Sequence, residues 1–151
     1  MPHFELITRI AAPPDRVFDA CLDVEVHTAS MADSGERALA GKNAGHLKLG
    51  DLVTFQARHL GIRWTLAARV SEYDRPEHFI DEQERGPFKR WHHAHHFTSD
   101  ENGGTVMRDV VDFAAPLGPL GALVDRLVLR RYMISLIERR NHYIKTLLES
   151  R

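Results

Sequence analysis

Four of the chain's ten histidines stand in the five positions from His92 to His96, inside Trp91-His92-His93-Ala94-His95-His96-Phe97. Imidazole binds metals, moves protons near neutral pH, and donates or accepts hydrogen bonds. What these rings can do together depends on which of them share a face. A strand points successive side chains to opposite sides, so His93 and His95 fall on one face and His92 and His96 on the other. Three more polar residues belong in the same question: Asp81, Gln83 and Asp109 lie in flanking segments that also read as strands.

The elements that must position these groups follow from periodicity and punctuation. Phe4, Leu6, Thr8 and Ile10 alternate as a first strand. Pro13-Pro14-Asp15 starts a short helix, with Val17, Phe18, Cys21 and Leu22 as its apolar face. A second short helix is expected from about Glu25 to Met31, then a glycine-rich loop with a short strand before Gly50. Residues 51–60, 62–73, 77–85, 89–98 and 105–114 read as strands, separated by turn chemistry at Leu60-Gly61, Asp74-Arg75-Pro76, Gly86-Pro87 and Asn102-Gly103-Gly104. Leu120, Leu123, Leu127, Ile134, Ile137, Ile144 and Leu148 recur at helical spacing, so a long helix closes the chain from about Leu120 to Glu149, after Gly118-Pro119. The order is strand, two short helices, antiparallel meander and long helix, an α+β layer packing.

Each turn implies a register. His59 pairs with Ile62 and Phe55 with Leu66; Val70 faces Asp81, and Ala68 faces Gln83. Gln83 then faces Trp91, Asp81 faces His93, His95 faces Asp109, and Phe97 faces Met107. One face collects Val53, Phe55, Trp64, Leu66, Phe79, Trp91, Phe97 and Phe113. The other collects Arg58, Arg69, Glu82, Glu84, Arg90, Arg108 and Asp112, with Glu84 opposite Arg90 and His92 opposite Asp112. The first face is therefore inside. His93 and His95 point in, with Asp81, Gln83 and Asp109, and with His59 at a hairpin tip; His92 and His96 point out.

An unpaired buried polar group costs roughly 1–3 kcal/mol. Two arrangements avoid that cost. Asp81 can hold His93 while Asp109 holds His95, as closed pairs in a dry core. Alternatively the groups line a wet or ligand-filled cavity between sheet and long helix, the arrangement the sequence favours for so many polar groups in a small domain. His27, on the second short helix, stands either at the mouth of that cavity or in solvent.

Composition excludes whole classes. With 43% hydrophobic and 27% charged residues, 151 residues build one globular domain. A net charge of −1 argues against nucleic acid as a partner. A single cysteine, Cys21, forms no disulfide within the chain and suits a reducing cytoplasm. MPHFELITRI has no signal-peptide pattern, and no apolar run reaches membrane-spanning length. Arg126, Arg130, Arg131, Arg139, Arg140 and Lys145 read as the solvated face of the long helix. Oligomeric state stays open, with room for a homodimer.

IAAPPDRVFD (10–19), DEQERGPFKRWHHAHHF (81–97), GTVMRDVVDF (104–113) and PLGPLGALVDRL (116–127) resemble the START-like, helix-grip superfamily, the SRPBCC proteins. Within it the chain looks like the uncharacterised bacterial cyclase/dehydrase-like group. The resemblance covers essentially the whole chain and implies a curved antiparallel sheet around the C-terminal helix, with a deep apolar cavity between. The group's D-x-Q, GPF and W-x-H-x-H-x-F pattern falls on Asp81, Gln83, Gly86-Pro87-Phe88, Trp91, His93, His95 and Phe97.

Three functions follow. The first is a binding protein for a hydrophobic small molecule, touching His93, His95, Asp81, Gln83, Asp109, His59, His27, Trp64, Phe79, Trp91 and Phe97. The second is a polyketide cyclase or dehydratase using His93, His95, Asp81 and Asp109 as acid–base pairs. The third is a lipid or quinone carrier, like the coenzyme Q-binding relatives. His93 and His95 with Asp81 or Asp109 would also make a two-histidine, one-carboxylate metal set. Each carboxylate is equally placed to hold a histidine's other nitrogen. The sequence favours that network, with no cofactor and no native metal.

Overall fold

The computed structural model describes residues 3–59, 61–114 and 128–150. β1 (His3–Ile10) leads into α1 (Pro14–Leu22) and α2 (Val24–Ser30). A single 3-10 turn then precedes β2 (Arg37–Gly41), β3 (Leu52–His59) and β4 (Ile62–Asp74). β5 (His78–Arg85), β6 (Arg90–Ser99) and β7 (Thr105–Ala114) complete the sheet, and α3 (Arg130–Glu149) closes the chain. The expected helical start between Leu120 and Leu127, with Gly118-Pro119, lies outside the described residues.

Local chemistry sets each boundary. Pro14 occupies the first turn of α1, where its missing N–H costs nothing. The Asp23 carboxylate caps α2 by accepting from the N–H groups of Glu25 and Val26. At the β6–β7 turn Asp100 accepts from the N–H of Asn102 and Gly104, while Gly103 takes φ 80°, which disfavours side chains.

The strands form one antiparallel sheet in the order β1-β7-β6-β5-β4-β3-β2. The hairpin registers agree with those expected from the turns: His59↔Ile62, Val70↔Asp81, Asp81↔His93, His95↔Asp109 and Phe97↔Met107. β1 pairs with β7 rather than with a sequence neighbour, and its inner face meets α3. The outer face differs from expectation in one pair. Glu84 takes a bidentate ion pair from Arg69 across β4–β5, at 2.9 and 3.0 Å, instead of facing Arg90. Described ladder pairs between β5 and β6 end at Glu82↔His92, so neither the expected Gln83–Trp91 pair nor the Glu84–Arg90 pair is part of the ladder.

The core lies in two clusters beneath the sheet. Phe18 of α1 makes edge contacts with Tyr73, Phe79 and Phe97. Phe4, Trp91, Val111 and Phe113 pack with Ile137 of α3. Cys21 sits in the first cluster's flank, its thiol donating to the Met107 sulfur, and burial pushes its pKa up to about 12. It is therefore a protonated packing group, as its place on the apolar helix face implied.

Candidate functional site

The sheet and α3 part to leave a partly open cavity of about 260 Å³. β3 and β4 supply Phe55, Trp64 and Leu66 to its wall, and α3 supplies Met133, Leu136 and Ile137. Its polar floor is made by His93, His95, Asp81 and Arg140. His93 is 3% exposed and His95 1%.

The histidine–aspartate pairs form, but with the partners exchanged. His93 Nε2 donates to Asp109 Oδ1 at 2.8 Å, and His95 Nε2 bonds Asp81 Oδ2 at 2.7 Å. Directly opposed residues hold their Cβ atoms about 5 Å apart, too close for a long imidazole to aim its Nε2 at a neighbouring carboxylate. Diagonal neighbours are about 7–8 Å apart, which suits that reach. The rings stack as a column: Phe79 on His95 at 4.0 Å, and His95 on His93 at 3.7 Å.

Asp109 is the centre of the cluster and is fully buried. Besides His93 it accepts from Arg140 Nη2 and from Asn141 Nδ2, both at 2.8 Å. Asn141 also donates to Thr8 of β1 at 3.1 Å. Burial alone would raise the Asp109 pKa; Arg140 and the two histidines more than reverse this and hold it well below the ordinary carboxylate range. Burial likewise opposes the charge of Asp81, but the His95 hydrogen bond leads the groups that bring it down to about 2. Burial, then His95, lowers the His93 pKa to about 4, so His93 is a neutral ring at pH 7. With Nε2–H donated to Asp109, its Nδ1 is the acceptor, and no described residue bonds it. His95 Nδ1 lies 3.3 Å from Asp109 Oδ1 at an angle that makes no hydrogen bond.

Arg140 and Asn141 were not expected here. Arg140 is 4% exposed, not part of a solvated basic face. The signal was present: Arg140 lies three residues after Ile137 and four before Ile144, on the stripe that α3 buries. Its charge obscured its position. Arg130, Arg131 and Arg139 are exposed or half-exposed in keeping with expectation, and Arg126 lies outside the described residues.

Other expected contacts divide. His27, His59, Trp64, Phe79 and Trp91 line the cavity. His27 packs on Phe55 with ring centres 4.5 Å apart and tilted by 34°, and it contacts Glu36. Gln83, Asp109 and Phe97 are not among the described lining residues. Asp109 lies behind the imidazoles, and Phe97 packs on Phe18 and Phe79. Gln83 spends its amide on the backbone of Phe88, donating to its carbonyl at 2.7 Å and accepting its N–H at 3.1 Å. A Cβ at Gly86 would approach Gln83 Oε1 to 2.5 Å, so glycine permits this clamp.

Asp81, His93 and His95 each offer a ligand atom within 4.8 Å of the others, the spacing of a metal set. Their orientation opposes one. A metal lies in the plane of each imidazole it binds, and two rings stacked 3.7 Å apart at 23° do not share a plane near their nitrogens. Chelation by both rings would require breaking the stack.

A curved antiparallel sheet that closes on a C-terminal helix and leaves a polar-floored cavity defines a helix-grip domain. The chain belongs to the polyketide cyclase / dehydrase and lipid transport family, whose model matches residues 1–149. No curated protein matches the sequence. Among solved structures, the Zhui aromatase/cyclase from Streptomyces sp. R1128 aligns with TM-score 0.77 at 17% identity, over 98% of this chain and 93% of its own. A protein from Thermus thermophilus aligns with TM-score 0.73 at 18% identity, over 95% and 97%. A START superfamily protein from Mycobacterium smegmatis aligns with TM-score 0.71 at 13% identity, over 98% and 97%. At these identities the likeness concerns the fold. Among the described residues no helix is long and apolar enough to cross a membrane.

Proposed function

We propose that the protein binds a hydrophobic small molecule with a polar head in this cavity, the head resting on His93 and Asp81. One observation carries the reading: an apolar wall ends on a buried neutral histidine whose Nδ1 has no partner among the described residues. A ligand hydroxyl donating to that acceptor would add a hydrogen bond worth roughly 0.5–1.5 kcal/mol. Trp64 and Trp91 both line the cavity, so occupancy should quench intrinsic fluorescence. Native mass spectrometry of the purified protein, followed by fluorescence titration with a naphthol, tests the proposal. His93→Ala should weaken binding about tenfold. Binding that survives both His93→Ala and His95→Ala would sink the role of the floor, and absence of saturable binding would sink the reading.

A second reading makes the same site catalytic. Asp109 accepts from His93, which lines the cavity, the arrangement of an aspartate-backed general base. Such a base would take a proton from a carbon next to a ketone of a polyketide-like substrate; the enolate attacks a second carbonyl, the resulting alkoxide takes the proton back from the imidazolium, and loss of the remaining α-hydrogen with that hydroxyl eliminates water. Turnover by the wild type that His93→Ala abolishes, with binding retained, would select this reading over simple binding.

A further inference from the structure

On the outer face of the sheet Arg69 pairs with Glu84 and Arg108 with Glu5, and Arg75 pairs with Asp19 of α1. The end built from β2, β3 and β4 departs from this pattern. Register sets Arg58 directly opposite Arg63, one pair before the hairpin turn. It also sets Arg37 opposite Gln56, which makes Arg37 and Arg58 diagonal neighbours on the same face. Like charges directly opposed across a ladder are destabilising. Among the described residues no carboxylate comes within ion-pair distance of Arg37, Arg58 or Arg63.

The three arginines line an open pocket of about 300 Å³ together with Ser34, Gly35 and Gln56. The acidic side chains nearest in the chain are engaged elsewhere. Asp33 pairs with Arg139 at 3.6 Å, and Glu36 contacts His27 Nε2 where both line the cavity. Gln56 accepts from Arg37 Nη2 at 3.0 Å, which steadies that guanidinium against the strand. At Gly35 nothing lies within 4 Å of where a Cβ would stand, so space is open on that side.

A guanidinium presents a planar fork of N–H donors that matches phosphate oxygens, and such charge-assisted bonds are stronger than neutral ones. An anion of two or more charges would bind the fork of each arginine and remove the repulsion between Arg58 and Arg63. A bilayer surface fits this pocket less well. Apart from Ala57 its described wall offers no apolar side chain to enter the acyl region.

We infer that Arg37, Arg58 and Arg63 form a binding site for the phosphate group of a soluble small molecule, on the face of the β3–β4 hairpin opposite the cavity. Ala57, His59 and Trp64 of the same hairpin line the cavity from the inner face. The site does not depend on what the cavity holds.

Calorimetric titration of the full chain with inorganic pyrophosphate, at low ionic strength, tests it. The wild type should bind one pyrophosphate saturably, with a rise in melting temperature. Arg58→Gln and Arg63→Gln should each weaken binding about tenfold, the worth of one charge-assisted hydrogen bond. Arg90→Gln, at an exposed arginine of β6, should leave it unchanged. Without anion, Arg63→Gln should melt no lower than the wild type, because it removes one of two opposed like charges. Absence of saturable binding, or an equal loss in Arg90→Gln, would overturn the inference. So would a lower melting point for anion-free Arg63→Gln, which would mean that the pair is already balanced within the fold. Binding to phosphatidylcholine vesicles containing phosphatidic acid, with none to pyrophosphate, would overturn the soluble ligand in favour of a membrane.

Discussion

His92 and His93 are neighbours in the chain, yet one is half-buried on the outer face while the other is 3% exposed beneath α3. The same division separates His96 from His95. His96 stacks on His78 at 5.9 Å across the outer surface. His95 is held between Phe79 and His93 with Asp81 on its Nε2. Residue type is constant across the four. What differs is whether the opposing layer is water or a helix that brings Arg140 and Asn141. The pleat sorts the side chains, and the layer above each face decides whether their polarity is inconsequential or must be matched atom by atom.

The comparison breaks most readily at Asp109. Asp109→Ala should cost about 3–5 kcal/mol, because it leaves Arg140 as an unpaired buried charge. Urea unfolding measures this, and a cost below about 1 kcal/mol would show that the inner network is no more demanding than the outer face.

Acid should separate the faces next. In the unfolded chain His93 takes its proton near pH 6.5, but in the folded chain only near 4. The unfolded state binds more protons in that window, so stability falls as pH drops through it, by roughly 3 kcal/mol. Asp81, about 2 when folded against 3.8, extends the loss below pH 4. Urea midpoints at pH 7, 5 and 4 should show the upper limb in the wild type and its flattening in His93→Asn. An unchanged slope in that variant would assign the titration elsewhere.

His95→Phe is a smaller break. The ring keeps the stack between Phe79 and His93, and Asp81 loses its donor but still faces the cavity, where water can reach it. Calorimetric melting should register a loss of about 1–2 kcal/mol. Smallest of all, His92→Ala and His96→Ala should each change stability by no more than about 0.5 kcal/mol. A larger effect at either position would contradict the division between the faces.

Much of this was legible in the chain. The turns Asp74–Pro76, Gly86-Pro87 and Asn102–Gly104 have defined lengths, and alternation along each strand admits one register that buries the aromatic residues, so the inner and outer histidines separate on paper. The sheet side of the cavity followed from that register, while the lining from α1, α2 and α3 did not. The exchange of aspartate partners did not, because side-chain reach selects diagonal over direct neighbours and register specifies only the direct ones. Gln83 was placed on the correct face but committed to Phe88, a local bond that the GPF turn makes available.

The sequence by itself determined the order of the meander from β3 to β7, the face of each histidine and the α+β closure, since these depend on periods of 2 and 3.6 and on turn residues close together in the chain. Only the tertiary structure decided which polar groups meet. Asp109 and Arg140 are 31 residues apart and touch because α3 lies across the sheet at one particular rotation. That rotation is set by packing Leu136, Ile137 and Ile144 into the concave face, a property of volumes and shapes that no local pattern encodes.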